Sequence, residues 1–506
     1  MKIIVDKKSL ISVHDQIYNE IENRIMSGLL EAESKLPSLR KMCSDIGVSH
    51  MTMVKVYSAL EENGLVEKIH GKGTFVKSQF RNMTPAQAEQ SINLLSYINE
   101  SENSKKNKSL QWQEDISDYV SVGGFRANSN LNHSNQGINL SIACLGPHLV
   151  PSERVLDLFL KNPKLAGKIN DLYPPIEGLD DMRQAARQVL NQRNVDLSLE
   201  QTVITVGSQQ AIRLIARTFI GPGDVVVVSA PTYPGALDIF KNRGARLMEV
   251  PLDDEGMDVE ALIAICEKYP VKMVYTMPSF HNPTGVVMSL KRKKELLELA
   301  DYHNFIILED DVCGQLSYDI NTIPLKALDE KGRVLYVFGF SKIYGHAYRL
   351  SVIGGATKLL EKIVSAKSSS DGGAPLINQL IMSNFIGSDA QKHYLTDISS
   401  HLKRVRDEAY LALMRYMPSY VEVHKPSGGM LFWLTFPKTF NCNLLHYKCI
   451  EKYNINFLPG EFCYNSKQGR NQMRLCFTSV PKDVFIKSIK NIAEIVDEVY
   501  KISKLI

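Results

Sequence analysis

Tryptophan and cysteine are scarce in this chain, with 2 and 8 residues among 506. The cysteines, at 43, 144, 266, 313, 442, 449, 463 and 476, never form a C-x-x-C pair, which argues against a zinc ribbon and a disulfide framework. Neither sign of charge predominates: 59 Lys plus Arg against 55 Asp plus Glu leave a net +4. Bulk charge therefore points to neither nucleic acid nor membrane, and any such partner must be argued from a local patch. Long apolar runs are missing too. Val225–Val228 and Met430–Phe436 fall far short of the roughly 20 residues a spanning helix needs. Asp6-Lys7-Lys8 breaks the N-terminus before a signal-peptide core could form. These absences predict a cytoplasmic protein without a membrane partner. What is present, 44% hydrophobic and 23% charged residues, is a globular composition. The length suits three domain-sized units, or one large enzyme fold with a small module.

Residues 9–77 carry the periodicity of a helical module that ends in a hairpin. Val13, Ile17, Ile21 and Ile25 recur every fourth residue, one stripe of an amphipathic helix. Ser38 can cap a helix from Leu39 to Ile46 that Gly47 ends, and Ser49 a second with Met53, Val56, Tyr57 and Leu60 inward. Two helices joined by a short glycine-containing turn outline a helix-turn-helix. Leu65–Ile69 and Gly73–Lys77 then read as a winged hairpin around His70-Gly71-Lys72. The second helix of such a unit enters the major groove with its N-terminal side chains toward the bases. Here those positions hold Ser49, His50, Met51, Thr52 and Lys55, while Arg40, His70, Gly71 and Lys72 are placed for phosphates or the minor groove. Residues 1–80 contain 11 Lys plus Arg against 10 Asp plus Glu, so charge alone leaves a protein contact as open as DNA.

The wording of the segment goes further. Leu36-Pro37-Ser38-Leu39-Arg40, Gly47-Val48-Ser49-His50-Met51-Thr52, Glu62-Asn63-Gly64-Leu65-Val66 and Gly71-Lys72-Gly73-Thr74-Phe75-Val76 closely resemble the GntR family of winged-helix regulators. The resemblance implies that Arg40, Thr52 and Gly71 contact operator DNA. His50 stands where that family usually has an arginine. An imidazole cannot reproduce arginine's two-pronged contact with guanine, so the resemblance carries no operator sequence with it.

Residues 78–136 form a long linker rich in Asn, Ser, Gln and Lys, as in SENSKKNKS, with a short helix possible at 86–98. Such a composition cannot bury enough apolar surface to offset its ordering entropy. Within residues 137–506 strand-like runs alternate with helical ones: Val203–Val206, Gln209–Phe219, Val225–Val228, Met273–Thr276, Phe305–Leu308 and Val334–Phe338. The alternation predicts an α/β fold with a mainly parallel sheet, and the last third a smaller α+β domain.

An enzyme of pyridoxal phosphate (PLP) needs a lysine for an imine, an acid beside the pyridine nitrogen, an anion cradle and an aromatic face. Residues 137–506 hold a candidate for each in loops after strands, where open α/β sheets place ligands. Lys342 follows the strand Val334–Phe338, Asp310 ends an apolar run, and Gly207-Ser208-Gln209-Gln210 lies between a strand and a helix. Each is weak alone: a Ser-Lys pair is usually a surface feature and Ser208 an ordinary cap. The Asp310 run also resembles a magnesium-binding strand of nucleotide enzymes, but G-x-x-x-x-G-K-[ST] is missing. No metal is expected.

Taken together, Tyr173…Gly178…Arg183, Gly207-Ser208-Gln209-Gln210, Pro231-Thr232-Tyr233-Pro234-Gly235, His281-Asn282-Pro283-Thr284-Gly285, Glu309-Asp310-Asp311, Ser341-Lys342…Arg349 and Gln472-Met473-Arg474-Leu475 resemble fold-type-I aminotransferases. The resemblance implies that Lys342 forms the internal aldimine, Asp310 pairs with the pyridinium nitrogen, Asn282 bonds O3′ and Tyr233 stacks on the ring. It further implies that Ser208, Gln209, Ser341 and Arg349 hold the phosphate, and that Arg474 takes an effector carboxylate. Tyr173 would reach the phosphate of a partner subunit, which implies a homodimer. Two places depart from the pattern. Val312 and Cys313 stand where a tyrosine to O3′ is usual, and Gly339 where a serine or threonine is usual.

A GntR-type winged helix, a linker and an aminotransferase-like domain, in that order, resemble the MocR subfamily of regulators. The resemblance implies a PLP-dependent DNA-binding regulator that senses an amine, an amino acid or PLP itself. The alternative from another class is a working aminotransferase with a fused DNA-binding module. The departures count against completed transamination, though a half-reaction remains open.

Overall fold

The computed structural model describes residues 12–26, 30, 33–69, 72–77, 137–162, 173–466 and 468–505. The linker 78–136, its expected helix, and the wing residues His70 and Gly71 lie outside the described residues. Two compact units result, one from the N-terminal module and one from residue 137 onward. Among the described residues no helix is long and apolar enough to cross a membrane.

The N-terminal unit comprises α1 (Val13–Met26), α2 (Leu39–Ile46), α3 (His50–Glu62) and the antiparallel hairpin β1 (Val66–Ile69) and β2 (Gly73–Val76). Its core is the apolar set expected from periodicity: Ile17, Ile21 and Ile25 against Met53, Val56 and Leu60 are fully buried. Ser38 accepts from Lys41 N and Ser49 from Thr52 N, each satisfying an amide that a helix start leaves open. Gly47 ends α2 at φ 77°, a left-handed conformation that glycine adopts freely. The Tyr57 hydroxyl donates to Pro37 O at 2.7 Å and ties α3 to the turn before α2.

The second unit is built on an eight-stranded sheet. After the short β3 (Ile138–Asn139), which lies outside it, its strands are β4 (Thr202–Thr205), β5 (Val225–Ala230), β6 (Arg246–Asp253), β7 (Gly256–Met257), β8 (Val271–Thr276), β9 (Ile306–Asp311), β10 (Val334–Gly339) and β11 (Ser351–Gly354). Their order is β4-β11-β10-β9-β8-β5-β6-β7. The central run β10-β9-β8-β5-β6 is parallel, with β11 antiparallel between β10 and β4. Central strands bury both faces, and the Val225–Val228 run is accordingly apolar throughout. A smaller antiparallel sheet of Glu422–His424, Leu431–Thr435, Gln472–Cys476 and Leu458–Pro459 packs with the helices Asp389–Tyr416 and Lys482–Leu505 around a separate core. This is the α/β architecture with a smaller α+β part expected from the sequence.

The C-terminal end of β9 carries three consecutive carboxyl groups, and alternation sends them to opposite faces of the sheet. Asp311 accepts from Arg193, at 2.8 Å from Nη2, and from the Tyr336 hydroxyl at 2.6 Å, all three being buried. Removing one partner of a buried ion pair strands the other charge and costs about 3–5 kcal/mol. Arg193→Met is expected to lower the thermal midpoint of this unit sharply. Ser49→Ala, losing a cap worth ~1 kcal/mol, is expected to lower only that of the N-terminal unit. Calorimetry on the two variants checks both.

Candidate functional site

The ends of the parallel strands open onto a cavity of about 360 Å³, within the size range of small-ligand sites. Asp310 reaches it from the end of β9, and Ser341 and Lys342 from the turn after β10. Ser208 and Gln209 open the helix that follows β4, Tyr233 follows β5, and Asn282 lies in the loop after β8. Arg474 comes from the smaller sheet, and Arg349 from the segment just before β11. Nine residues singled out in the sequence thus line one cavity. Tyr173 does not: it is 90% exposed.

Asp310 is the most constrained of them. Its Oδ2 accepts from the Tyr275 hydroxyl at 2.8 Å, while Oδ1 is shielded from solvent without a partner among the described residues. Burial pushes its pKa up to about 7, more than the Tyr275 bond lowers it. Lys342 Nζ donates to Ala143 O, and burial draws its pKa below the ordinary lysine value. Arg474 donates from Nη1 to Asn282 Oδ1 at 2.7 Å and from Nη2 to Ser141 O. Its Nε has no partner among the described residues, and burial again disfavours the charge.

One end of the cavity suits an anion. Ser208 and Gln209 begin the helix Ser208–Phe219, whose N-terminal amides favour negative charge. Ser341 Oγ is shielded and has no partner among the described residues. Arg349 has φ 48°, a left-handed backbone that costs a non-glycine residue energy and is typical of functional sites. Gly207, at φ 82°, lets its guanidinium approach: a Cβ there would stand 2.8 Å from Arg349 Nη2.

These unmet groups test the cavity against PLP. A shielded acceptor on Asp310 would suit a ring N–H and Ser341 and Arg349 a phosphate, and Lys342 lies within the same cavity. The residues fit the cofactor.

The two departures turn out to be neighbours. A Cβ on Gly339 would stand 3.0 Å from Val312 Cγ1, so branched Val312 occupies the room that a residue larger than glycine would need. Cys313 is buried, with its pKa pushed up to about 12 by desolvation, which makes it an inert filler at neutral pH. Sequence reasoning missed Tyr275, His346 and the strip Ser141–Ala143, which also belong to the site. Only Tyr275 left a signal, as a hydroxyl inside an apolar strand.

In the N-terminal unit His50, Met51 and Lys55 are exposed at the start of α3, Met51 at 66%. Thr52 is half-buried, and its hydroxyl meets that of Ser49 at 2.8 Å. Ser49 therefore serves the cap first. Lys72 is exposed beside β2, and Arg40 belongs to α2.

Comparison with known proteins matches residues 138–489 to the family described as aminotransferase class I and II. The chain belongs to that family. Residues 13–76 match the bacterial regulatory proteins of the gntR family, so this aminotransferase-family chain carries a GntR helix-turn-helix ahead of its sheet. Aromatic-amino-acid aminotransferase 1 of Thermococcus litoralis is 38% identical over 65% of this chain and 80% of its own. An uncharacterized HTH-type transcriptional regulator of Bacillus subtilis, YisV, is 29% identical over 96% of both chains. The crystal structure of Pyrococcus horikoshii kynurenine aminotransferase, determined with PMP, superposes with a TM-score of 0.70 at 35% identity, covering 74% of this chain and 94% of that one.

The raised pKa of Asp310 has a consequence for the cofactor-free protein. The folded state holds this proton up to about pH 7, whereas an unfolded aspartate releases it near pH 4. The associated stability is complete below pH 4 and lost as pH rises through 7. Asp310→Asn, which never ionises, is expected to be more stable than the native chain at pH 8 and to lose that advantage by pH 5, as thermal midpoints at the two pH values would show.

Proposed function

We propose that this protein is a DNA-binding transcription regulator whose aminotransferase-like domain holds PLP and reads an amine or amino acid. The observation that carries the reading is the union, in one chain, of a GntR helix-turn-helix and an aminotransferase domain whose cavity keeps Lys342, Asp310 and Arg474 together. The end-to-end similarity to a protein named as an HTH-type regulator supports it. Operator DNA as the target is in keeping with a cytoplasmic location. The domain division follows at 9–77, 78–136 and 137–506.

In this cavity Lys342 would hold the cofactor, Asp310 would sit against its ring nitrogen, and Asn282 against the ring oxygen. Tyr233 would cover a face, and Ser208, Gln209, Ser341 and Arg349 would bind the phosphate. Once bound, PLP supplies an electrophilic carbon that captures a primary amine. Asp310, raised to about 7 while alone, would ionise beside a ring cation and keep the proton there. Arg474 gives the carboxylate of an amino acid a buried guanidinium.

The response would pass through the strip Ser141–Ala143. Its carbonyls hold both Lys342 and Arg474, and the chain runs from it directly back into the linker. An amino acid that displaces Lys342 from the cofactor would return Nζ to Ala143 O, while its carboxylate would take Arg474 from Ser141 O. Coupling of a few kcal/mol between the two arrangements suffices for a switch. The exposure of Tyr173 supports a homodimer, since a residue that reaches a partner's phosphate must leave its own subunit.

A working aminotransferase is the second reading, favoured by the intact Lys342, Asp310, Asn282 and Arg474. Visible absorption of the purified chain with PLP, titrated with amines and amino acids, separates the two. A regulator shifts its band and keeps the new species, whereas an aminotransferase converts the cofactor to pyridoxamine phosphate and recovers with a keto acid. A Lys342→Ala chain that still answers fully to its effector in a promoter-binding assay would refute the role of that lysine. For the DNA half, Lys72→Ala is expected to weaken binding alike for all sequences and to reduce the salt slope by about 1, measured by fluorescence anisotropy. Amide hydrogen exchange across residues 138–146 is expected to change when an amino-acid effector binds.

A further inference from the structure

His346 lies four residues after Lys342 and three before Arg349, and its side chain borders the same cavity. No role has yet been found for it. Its Nε2 is shielded from solvent and has no hydrogen-bond partner among the described residues. A shielded imidazole nitrogen without a partner is costly to keep, since the desolvation of a polar atom goes uncompensated. A ligand in the cavity is the obvious partner.

The surroundings decide what kind of ligand. Burial, with the charges of Lys342 and Arg349 added to it, holds the imidazole down at about 4, so it stands neutral at physiological pH. The other ionisable groups on the cavity are Tyr233, Asp310 and Arg474. A ligand that brings a cation would leave His346 as it is. One that brings a dianion offsets the burial penalty as well as the repulsion from Lys342 and Arg349, and so favours the protonated imidazole.

We propose that His346 is a proton-coupled anchor for the phosphate of the ligand in this cavity, taking one proton from solvent as the dianion enters and donating Nε2–H to it. The inference rests on the reading of the cavity as a PLP site and adds a residue to it. Ser208, Ser341 and Arg349 then supply the permanent part of the cradle, and His346 a part that forms only when the ligand is present. Affinity for the phosphate group consequently falls as pH rises, beyond what the phosphate's own ionisation dictates.

The test is calorimetry of PLP binding to the full-length chain at about pH 7.5, in buffers of different ionisation enthalpy, which counts the protons taken up. Lys342→Ala is the background, because it removes the proton exchange of the lysine itself. Adding His346→Gln, which keeps an N–H donor, is expected to reduce uptake by about one proton per site. Adding His346→Arg, which carries its charge permanently, is expected to do the same while retaining affinity. Thermal midpoints verify that each variant is folded. Equal proton uptake with and without His346 overturns the proposal while leaving the PLP site intact. If the native chain gains no visible band with PLP and no heat is seen, the reading of the cavity fails, and the role of His346 with it.

Discussion

The cavity is organised by one difficult demand, the burial of a carboxyl group at the end of a central parallel strand. Asp310 has a single hydrogen bond, from Tyr275, and an oxygen left bare. Its chain neighbours Glu309 and Asp311 are buried as well, but each is held by groups of the protein: Glu309 accepts from two backbone amides near 2.8 Å, and Asp311 Oδ2 from Arg193 and Tyr336. The opposite face of the strand thus carries the structural charges. Of the three, Asp310 is the one that lines the cavity, on the face where the strand ends of an open sheet receive a ligand.

The departures from the aminotransferase pattern read differently once the neighbours are known. Val312 and Gly339 are one packing solution, since a side chain at 339 would press on the valine. Cys313 fills space at the same end of β9. What the cavity loses there is a phenol and a hydroxyl. It keeps the lysine, the acid and the arginine, together with an imidazole that the pattern did not foretell. Under the proposed reading, a site altered in this way would hold a ligand more readily than turn it over.

Much of the fold was legible because its signals are local. The four-residue spacing of Val13, Ile17, Ile21 and Ile25, the caps at Ser38 and Ser49 and the valine run at 225–228 each depend on near neighbours, and the structure has them where periodicity put them. The cavity was legible in part through motifs that sit in the turns after strands. The rest is made by distant contacts. Lys342 meets Ala143 across 199 residues and Arg474 meets Ser141 across 333, and no spacing rule links such partners. His346 was hidden for another reason: a lone histidine in a loop has no periodicity to stand out from.

The strip Ser141–Ala143 gives the cavity a property that neither side chain has separately. One carbonyl holds the lysine and another the arginine, two residues apart on a single segment. With PLP on Lys342 the first tether would be given up, and an amine that displaced the lysine would restore it, whereas a carboxylate would take Arg474 from the second. The two ends of an amino acid would thus act on one segment in opposite senses, so that a simple amine, a simple acid and an amino acid each leave it differently tethered.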